Sequence, residues 1–528
     1  MKKIIIFSHD DEFLLELLSE IINEDFEVLD CFLAGNKAAK VLDSYNCRIH
    51  LRKFAMSGNN LNLENCISID QDELIKYAKI EQIFNRMCDC IDFNGRQFSG
   101  IERRRYFQDL LKYCLTVLNQ SIDLVFFTDN PHSPHDVVFS MLCEEKNIPI
   151  KILRESNIRG RYFIQDGLFG KLNLKLTPKE LVGDPLLLDM PEDIKNFKSS
   201  VDRASYKLPS NYVFRRNHKI AYSKASFYYE WLGNATFFNI IAILLKFNFV
   251  FWYLTKGFIK KIIGLNYQSL RTEMDDTLKI KKKNYFETKF TLIDNKSILI
   301  KGILYKRYIR WMYSNIESKE PINKILNKKF VYFPLHYQPE ATTYPFGQLY
   351  IDQLLALELL SLSVPSDVKI LLKEHPDTFN ISGLAWVRGA FSRDPDFYSR
   401  ISKFQNVIVC PLKVDSFELI DKSLFVATIT GTTAIEASFR SKGSIVFGSA
   451  WFSDFEGIFS CKNIAEVKSA TKKIISNDFK ISSIANLNQL KKFSEISFIC
   501  NRDFSNSVSN HGLRDSAKII VKALVEKI

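Results

Sequence analysis

The sequence predicts an α/β protein in which two doubly wound, mainly parallel sheets face a cleft, with a helical and basic insertion between them. Residues 1 to about 170 and 329–528 each alternate short apolar strands with amphipathic helices, the pattern of βαβ units. A chain of 528 residues also exceeds what one hydrophobic core supports, so two large domains plus an insertion are expected. Hydrophobic content of 46% with 25% charged residues excludes wholesale disorder.

The amino-terminal domain, residues 1–170, opens on a strand at 4–7. Met1-Lys2-Lys3 before it gives the look of a signal peptide, but the apolar run ends after four residues at Ser8-His9-Asp10-Asp11, too short for a targeting core. Leu at helical spacing predicts a helix over 12–22, and a second strand follows at 26–32. Further on come a helix at 103–119, a buried strand at 123–127, a helix at 137–146 and a strand at 150–153. The ten cysteines are scattered, with Cys88 and Cys90 the only close pair. Ordinary thiols in a reducing cytosol are the expectation, and no metal site.

The middle, residues 171–328, mixes charged and aromatic residues without a clean period. Its window 237–254, FFNIIAILLKFNFVFWYL, is the most apolar in the chain. As a helix it would span about 27 Å, close to a hydrocarbon core of about 30 Å. Lys246 falls at its centre, however, between Asn239 and Asn248, and a charge at mid-bilayer costs about 2.5–3.5 kcal/mol. Trp252 and Tyr253, then Lys256, Lys260 and Lys261, suit a helix lying in the headgroup region. A buried inter-domain or dimer helix is the alternative, and a true span the third. The net charge of +12 is unevenly placed: residues 256–329 hold 18 Lys/Arg against 7 Asp/Glu, a surplus of 11. Beside the apolar window this favours anionic lipid. Nucleic acid is not expected, because the aromatics cluster with aliphatics instead of interleaving as stacking platforms.

The carboxy-terminal domain, residues 329–528, is more regular. Strands are predicted at 330–335, 368–373, 407–410, 424–430 and 444–447, and helices at 348–362, 415–423, 434–441 and 464–475, with an amphipathic tail at 515–528 that can pack back on the first domain. Ligands of open parallel sheets sit outside the carboxyl ends of the strands, and three such ends here are polar. The first leads into His336, Gln338, Glu340 and Thr342. The second ends in Lys373-Glu374-His375-Pro376, where an imidazole or ammonium can offset charge on a leaving phosphate; a turn-capping His is the plainer reading. The third ends in Thr430-Gly431-Thr432-Thr433 at a helix start, favourable to an anion. Glu436 either closes a capping box onto the Thr433 N–H or faces the cleft to hold ribose or sugar hydroxyls. In the first domain the strand at 123–127 delivers Asp129, His132, His135 and Asp136, candidates to take a proton from an acceptor hydroxyl or to attack an electrophilic carbon. Asp136 serves equally as a plain helix cap.

The runs YFPLHYQPEATTYPFGQLYIDQ, LLKEHP and ATITGTTAIEASFRSKGSIVFG resemble the capsule polysaccharide biosynthesis family, which includes bacterial β-Kdo transferases and related surface-carbohydrate enzymes of the GT-B fold, two Rossmann-like domains facing a cleft. The resemblance is good over 330–451, vaguer over 120–170, and absent over 200–327. It implies a glycosyltransferase whose carboxy-terminal half binds a nucleotide sugar, CMP-linked Kdo or a related acidic sugar, and which passes it to a glycan or lipid-linked acceptor. It further implies that His375 and Pro376 form the family's His-Pro motif near the phosphate, that Gly431–Thr433 and Glu436 lie in the donor site, and that neither metal nor cofactor is needed. The Asp-X-Asp at Asp394-Pro-Asp396 reads as a turn. A cytoplasmic enzyme held on the inner face of the membrane through 237–261 is the expectation. The alternatives are a nucleotide-sugar epimerase or polyol-phosphate transferase of similar fold, and a non-catalytic subunit of a polysaccharide synthesis or export complex.

Overall fold

The computed structural model describes residues 1–8, 11–33, 47–51, 65–89, 99–158, 160–177, 190–202, 295–338, 342–379, 392–476, 479–501 and 512–528. The apolar window 237–254 and the basic residues 256–294 lie outside the described residues, as does Glu340. Among the described residues no helix is long and apolar enough to cross a membrane.

The amino-terminal part contains β1 (Lys2–Ser8), α1 (Asp11–Ile22), β2 (Phe26–Leu33), β3 (Arg48–Leu51), α2 (Gln71–Lys76), α3 (Ala78–Asp89), α4 (Gly100–Val117), β4 (Leu124–Phe127), α5 (Pro134–Glu145), β5 (Ile150–Glu155), β6 (Arg161–Asp166) and α6 (Glu192–Asp202). The carboxy-terminal part adds α7 (Asn295–Ile316), α8 (Ile322–Leu326), β7 (Phe330–Pro334), α9 (Gln353–Ser361), β8 (Lys369–Lys373), α10 (Phe397–Ile401), β9 (Val407–Val409), α11 (Ser416–Lys422), β10 (Phe425–Thr428), α12 (Thr433–Phe439), β11 (Gly443–Val446), β12 (Ile458–Ser460), α13 (Ile464–Ile475), α14 (Ser483–Ile496), β13 (Phe498–Ile499) and α15 (Leu513–Val525).

Two sheets result, ordered β13-β6-β5-β4-β1-β2-β3 and β12-β11-β10-β7-β8-β9. The strands between β5 and β3 run parallel, and the whole second sheet is parallel. In both, the order steps outward one way from the first strand and then reverses, at β1/β4 and at β7/β10. Those reversals are the switch points where loops part and leave a crevice. Ile4, Ile5 and Ile6 have no exposed surface, as expected of a strand covered on both faces. The abundant Phe residues fill this core: Phe7 stacks on Phe32 and Phe127 at centroid distances of 4.2 and 4.3 Å.

Several departures from the sequence expectation have physical causes. The first sheet is not purely parallel, since β6 returns antiparallel to β5 and β13 antiparallel to β6. The strand β13 and the helix α15, whose Ala517, Ile520, Val521 and Leu524 pack among Phe13, Leu14 and Leu17 of α1, come from the far end of the chain. The helix expected at 348–362 is broken into a 3₁₀ turn (Gln348–Ile351) and α9. Asp352 adopts extended backbone between them and caps α9 by accepting from the Leu354 N–H. The strand expected at 424–430 stops at Thr428, whose hydroxyl accepts from the Gly431 N–H and so diverts backbone from the ladder. Within the middle region, α7 joins the second core: Ile309 and Tyr313 are buried with Val331, Ile370 and Tyr398.

Candidate functional site

The loops after β7, β8 and β10 meet at the second switch point. His336, just beyond β7, places its Nε2 2.8 Å from the Thr428 hydroxyl and accepts the Thr430 N–H at 3.4 Å. Thr430 donates its hydroxyl to the Thr342 carbonyl, tying the same two loops again. A methyl group added at Gly431 would come within 2.7 Å of Thr428 Oγ1 and 3.1 Å of His336 Cε1, so only a residue without Cβ fits this close approach. Tyr337 and His375 bring the β8 loop alongside, with ring centroids 6.0 Å apart. Desolvation first, and then the nearby His375 and Arg393, push His336 down to about 3. At that value the ring is neutral, and it fastens the β7 and β10 loops together.

The Lys-Glu-His-Pro run divides by strand alternation. The Lys373 ammonium donates to the Val414 carbonyl at 2.5 Å and to Ser416 Oγ at 3.1 Å; the expected contact with a phosphate is replaced by this internal tether. Burial lowers its pKa. Glu374 is also internal, with no exposed side chain, and Arg393, likewise buried, donates to it from Nε and Nη2 at 3.0 Å each. Tyr398, Thr378 and the His375 N–H complete its shell. Burial alone would raise its pKa, but Arg393 and these donors bring it below the usual carboxylate value. Gln338, expected at the donor, instead accepts from Arg393 Nη1 at 2.9 Å and donates to the Ile351 carbonyl at 2.8 Å. Arg393 also donates to the His336 carbonyl at 2.6 Å, so one guanidinium locks the β7 and β8 loops together. Sequence reading missed it because it lies far along the chain, beside the Asp394-Pro-Asp396 turn closed by the Asp396 N–H on Asp394 Oδ1.

His375 remains partly exposed, at 24% for its side chain. Its Nδ1 accepts the Asp377 N–H at 3.2 Å, which leaves Nε2 to carry the proton of the neutral ring. Pro376 begins a 3₁₀ turn through Phe379, closed by the Thr378 N–H on the His375 carbonyl. At the start of α12 the expected capping box is absent. Thr432 is the cap, but in helical backbone it cannot reach the N–H groups, and its hydroxyl donates to Glu436 Oε1 at 3.0 Å instead. Burial, only partly offset by Thr432 and Arg440, pushes Glu436 up to about 7.

Lys306, from α7, belongs to the same neighbourhood, although no sequence pattern marks it. It is 1% exposed, lies 5.9 Å over the Tyr337 ring, and feels the negative charge of Asp377. Burial brings it down to about 7 from an ordinary 10.5. Between those values the unfolded chain holds a proton that the folded chain lacks, so this lysine makes stability rise with pH across that window; below it the full penalty is present. Urea denaturation at pH of about 7 and about 9 is expected to show wild type gaining on Lys306→Met as pH rises, and parallel behaviour would refute the assignment.

On the first sheet, the loop after β4 carries the other candidates. Asp129 Oδ1 accepts the Asn130 N–H at 2.7 Å. His132 is exposed and its Nδ1 donates to the Asn130 carbonyl at 2.9 Å. Asp136 is wholly buried at the start of α5, accepting from Ser133 Oγ, with His135 Nε2 3.5 Å away. The same Ser133 Oγ lies 3.0 Å from His135 Nε2. Asp136 and His135 therefore build the helix start, and Asp129 and His132 are the more accessible pair. The two halves touch: the Tyr344 hydroxyl donates to the Met87 carbonyl of α3, and Trp451 Nε1, beyond β11, donates to Asn157 Oδ1, beyond β5, at 3.3 Å. A surface cavity of about 500 Å³ bordered by Lys175, Asp454, Phe459 and Lys473 lies beside β12, and none of the predicted site residues lines it.

Two doubly wound sheets whose strand-end loops meet define a GT-B-like α/β protein. Residues 342–492 match the sequence model of the family described as capsule polysaccharide biosynthesis protein, and the resemblance read from the motifs is thereby borne out over that stretch. No curated protein matches the chain. Among solved structures, UDP-GlcNAc 2-epimerase from Methanocaldococcus jannaschii is 12% identical, with all of both chains covered and a TM-score of 0.21. The β-Kdo 2,7 transferase KpsC of Thermosulfurimonas dismutans is 15% identical over 44% of this chain and 67% of that one, with a TM-score of 0.21. A trehalose-6-phosphate synthase is 10% identical over 99% of each chain, with a TM-score of 0.24. At such scores the fold rests on the strand order alone.

Proposed function

We propose that the protein is a metal-independent glycosyltransferase of capsule synthesis, moving a sugar from a nucleotide donor to a capsular glycan or its lipid-linked precursor. One observation carries this reading. Among the buried polar atoms without a hydrogen-bond partner in the described residues, Asn130 Oδ1, Asn157 Nδ2 and Thr433 Oγ1 follow strand carboxyl ends, the first two in loops of the first sheet and the third at the start of α12, whereas Thr471 Oγ1 lies within α13. Buried polar atoms are normally satisfied, and loops that leave them bare from both sides suit a polyhydroxylated, phosphorylated ligand bound between them. In this reading the nucleotide lies at the β7/β10 switch point, with His375 Nε2–H donating to the leaving phosphate and Thr433 and Glu436 near ribose or sugar hydroxyls. Acid-sugar donors such as CMP-linked Kdo fit the family that residues 342–492 match. Interfacial attachment through 237–261 would keep the enzyme beside a lipid-linked acceptor on the inner face of the cytoplasmic membrane.

The test is thermal unfolding of the purified protein with CMP, UDP, GDP and CDP. One nucleotide is expected to raise Tm by mass action, and His375→Ala to lose most of that rise while unfolding normally without nucleotide. No rise with any of the four would remove the reading, and an unchanged rise in the variant would remove His375 from it.

A further inference from the structure

We infer that Arg154 is an oxyanion receptor, placed at the junction of the two sheets to hold a phosphate or carboxylate of the substrate. Four arginines are buried among the described residues: Arg103, Arg154, Arg161 and Arg393. Three have a carboxylate in contact. Arg103 reaches Asp89 at 2.5 Å, Arg161 grips Asp193 with two nitrogens at 2.6 and 2.9 Å, and Arg393 is paired with Glu374 at 3.0 Å. Arg154 has none among the described residues. It is 6% exposed, its Nη1 donates to Gln165 Oε1 at 2.5 Å, and its guanidinium lies over the Phe346 ring at 4.0 Å.

A guanidinium offers five N–H groups and stays charged. Burying it without a counter-ion is strongly unfavourable, and breaking a buried pair from the other side shows how large that penalty is. One neutral amide and one aromatic face do not offset it. Burial correspondingly lowers its pKa to about 9, with no neighbouring charge contributing. A protein keeps such a group where an anion arrives to pair with it.

The position fits a ligand shared by both sheets. Arg154 stands near the carboxyl end of β5, three residues before Asn157, whose Nδ2 is one of the unsatisfied atoms. Phe346 belongs to the opposite loop, where its carbonyl accepts the Ser449 N–H and would lie 2.6 Å from a Cβ added at Gly448, itself 2.5 Å from Thr430. Arg154 is thus one short loop from the β10 strand end. The inference deepens the proposed function and rests on it for the identity of the anion's carrier: the phosphate of a nucleotide, or the carboxylate of an acidic sugar.

The test compares wild type with Arg154→Met and Arg154→Lys in thermal unfolding, alone and with inorganic pyrophosphate or free Kdo. At least one anion is expected to stabilise wild type, pyrophosphate marking a phosphate site and Kdo a carboxylate site. Arg154→Met is expected to weaken that anion on the order of thirtyfold or more, and Arg154→Lys less, as it keeps charge without the fork. Without ligand, Arg154→Met is expected to melt no lower than wild type, since it removes an uncompensated charge. A lower melting point of the ligand-free Met variant would make Arg154 a structural wedge instead. Equal stabilisation of all three proteins, or of none, would also overturn the inference. A wild-type nucleotide shift that survives in Arg154→Met leaves the function standing and defeats only this assignment.

Discussion

Arg393→Ala is expected to destabilise the protein by about 3–5 kcal/mol, the range for removing one partner of a buried ion pair. The variant would leave the Glu374 carboxylate with no exposure and without its cation, and would strip the His336 carbonyl and Gln338 of a donor. Glu374→Gln is expected to be milder, because the amide oxygen still accepts from the guanidinium and from Tyr398 while the charge mismatch remains. Urea titrations of the three proteins read this directly. A loss below about 1 kcal/mol for Arg393→Ala, the scale of an exposed pair, would show that the cluster is solvated and not internal. The pH dependence has a fixed sign. The Glu374 pKa is depressed in the fold, so its contribution is present above the unfolded carboxylate value and is lost as pH falls through the folded one.

The same cluster shows what a sequence reveals and what it hides. Alternating apolar runs and helical periods were enough to read two doubly wound sheets, because strand burial on both faces leaves a visible signature in residues such as Ile4, Ile5 and Ile6. The three polar strand ends were visible for a related reason: polar residues directly after a buried run are conspicuous. Their division of labour was not visible. Lys373, Glu374 and His375 are adjacent in sequence, yet the first is tethered to Val414 and Ser416, the second is paired with Arg393, and only the third keeps an exposed face. That outcome depends on partners 19 to 43 residues away. Lys306 and Arg154 carry no sequence mark for the complementary reason: one sits in a helix of mixed composition, the other inside a strand, and each matters through what surrounds it in space. The antiparallel return of β13 beside β6 likewise joins residues 498–499 to 161–162, a pairing with no local signal.

His132→Gln is expected to lower sugar transfer by about 10²–10⁴-fold, the usual contribution of a positioned general base, while leaving the nucleotide-induced rise in Tm in place. The argument begins with the tautomer. Because Nδ1 donates to the Asn130 carbonyl at 2.9 Å, the lone pair of the neutral ring resides on Nε2. The ring is exposed, so an acceptor hydroxyl can approach it, whereas Asp136 is sealed at the start of α5 and His135 is held against Ser133. The loop that carries His132 also leaves Asn130 Oδ1 without a partner, which an acceptor hydroxyl could supply. Asp136→Asn then serves as the contrasting variant. It is expected to act on folding, through the helix start, and to change transfer only as far as it changes the amount of folded protein. Transfer rates normalised to folded protein separate the two cases. If His132→Gln keeps wild-type turnover and Asp129→Asn does not, the base is Asp129, and the β4 loop performs its chemistry through a carboxylate instead of an imidazole.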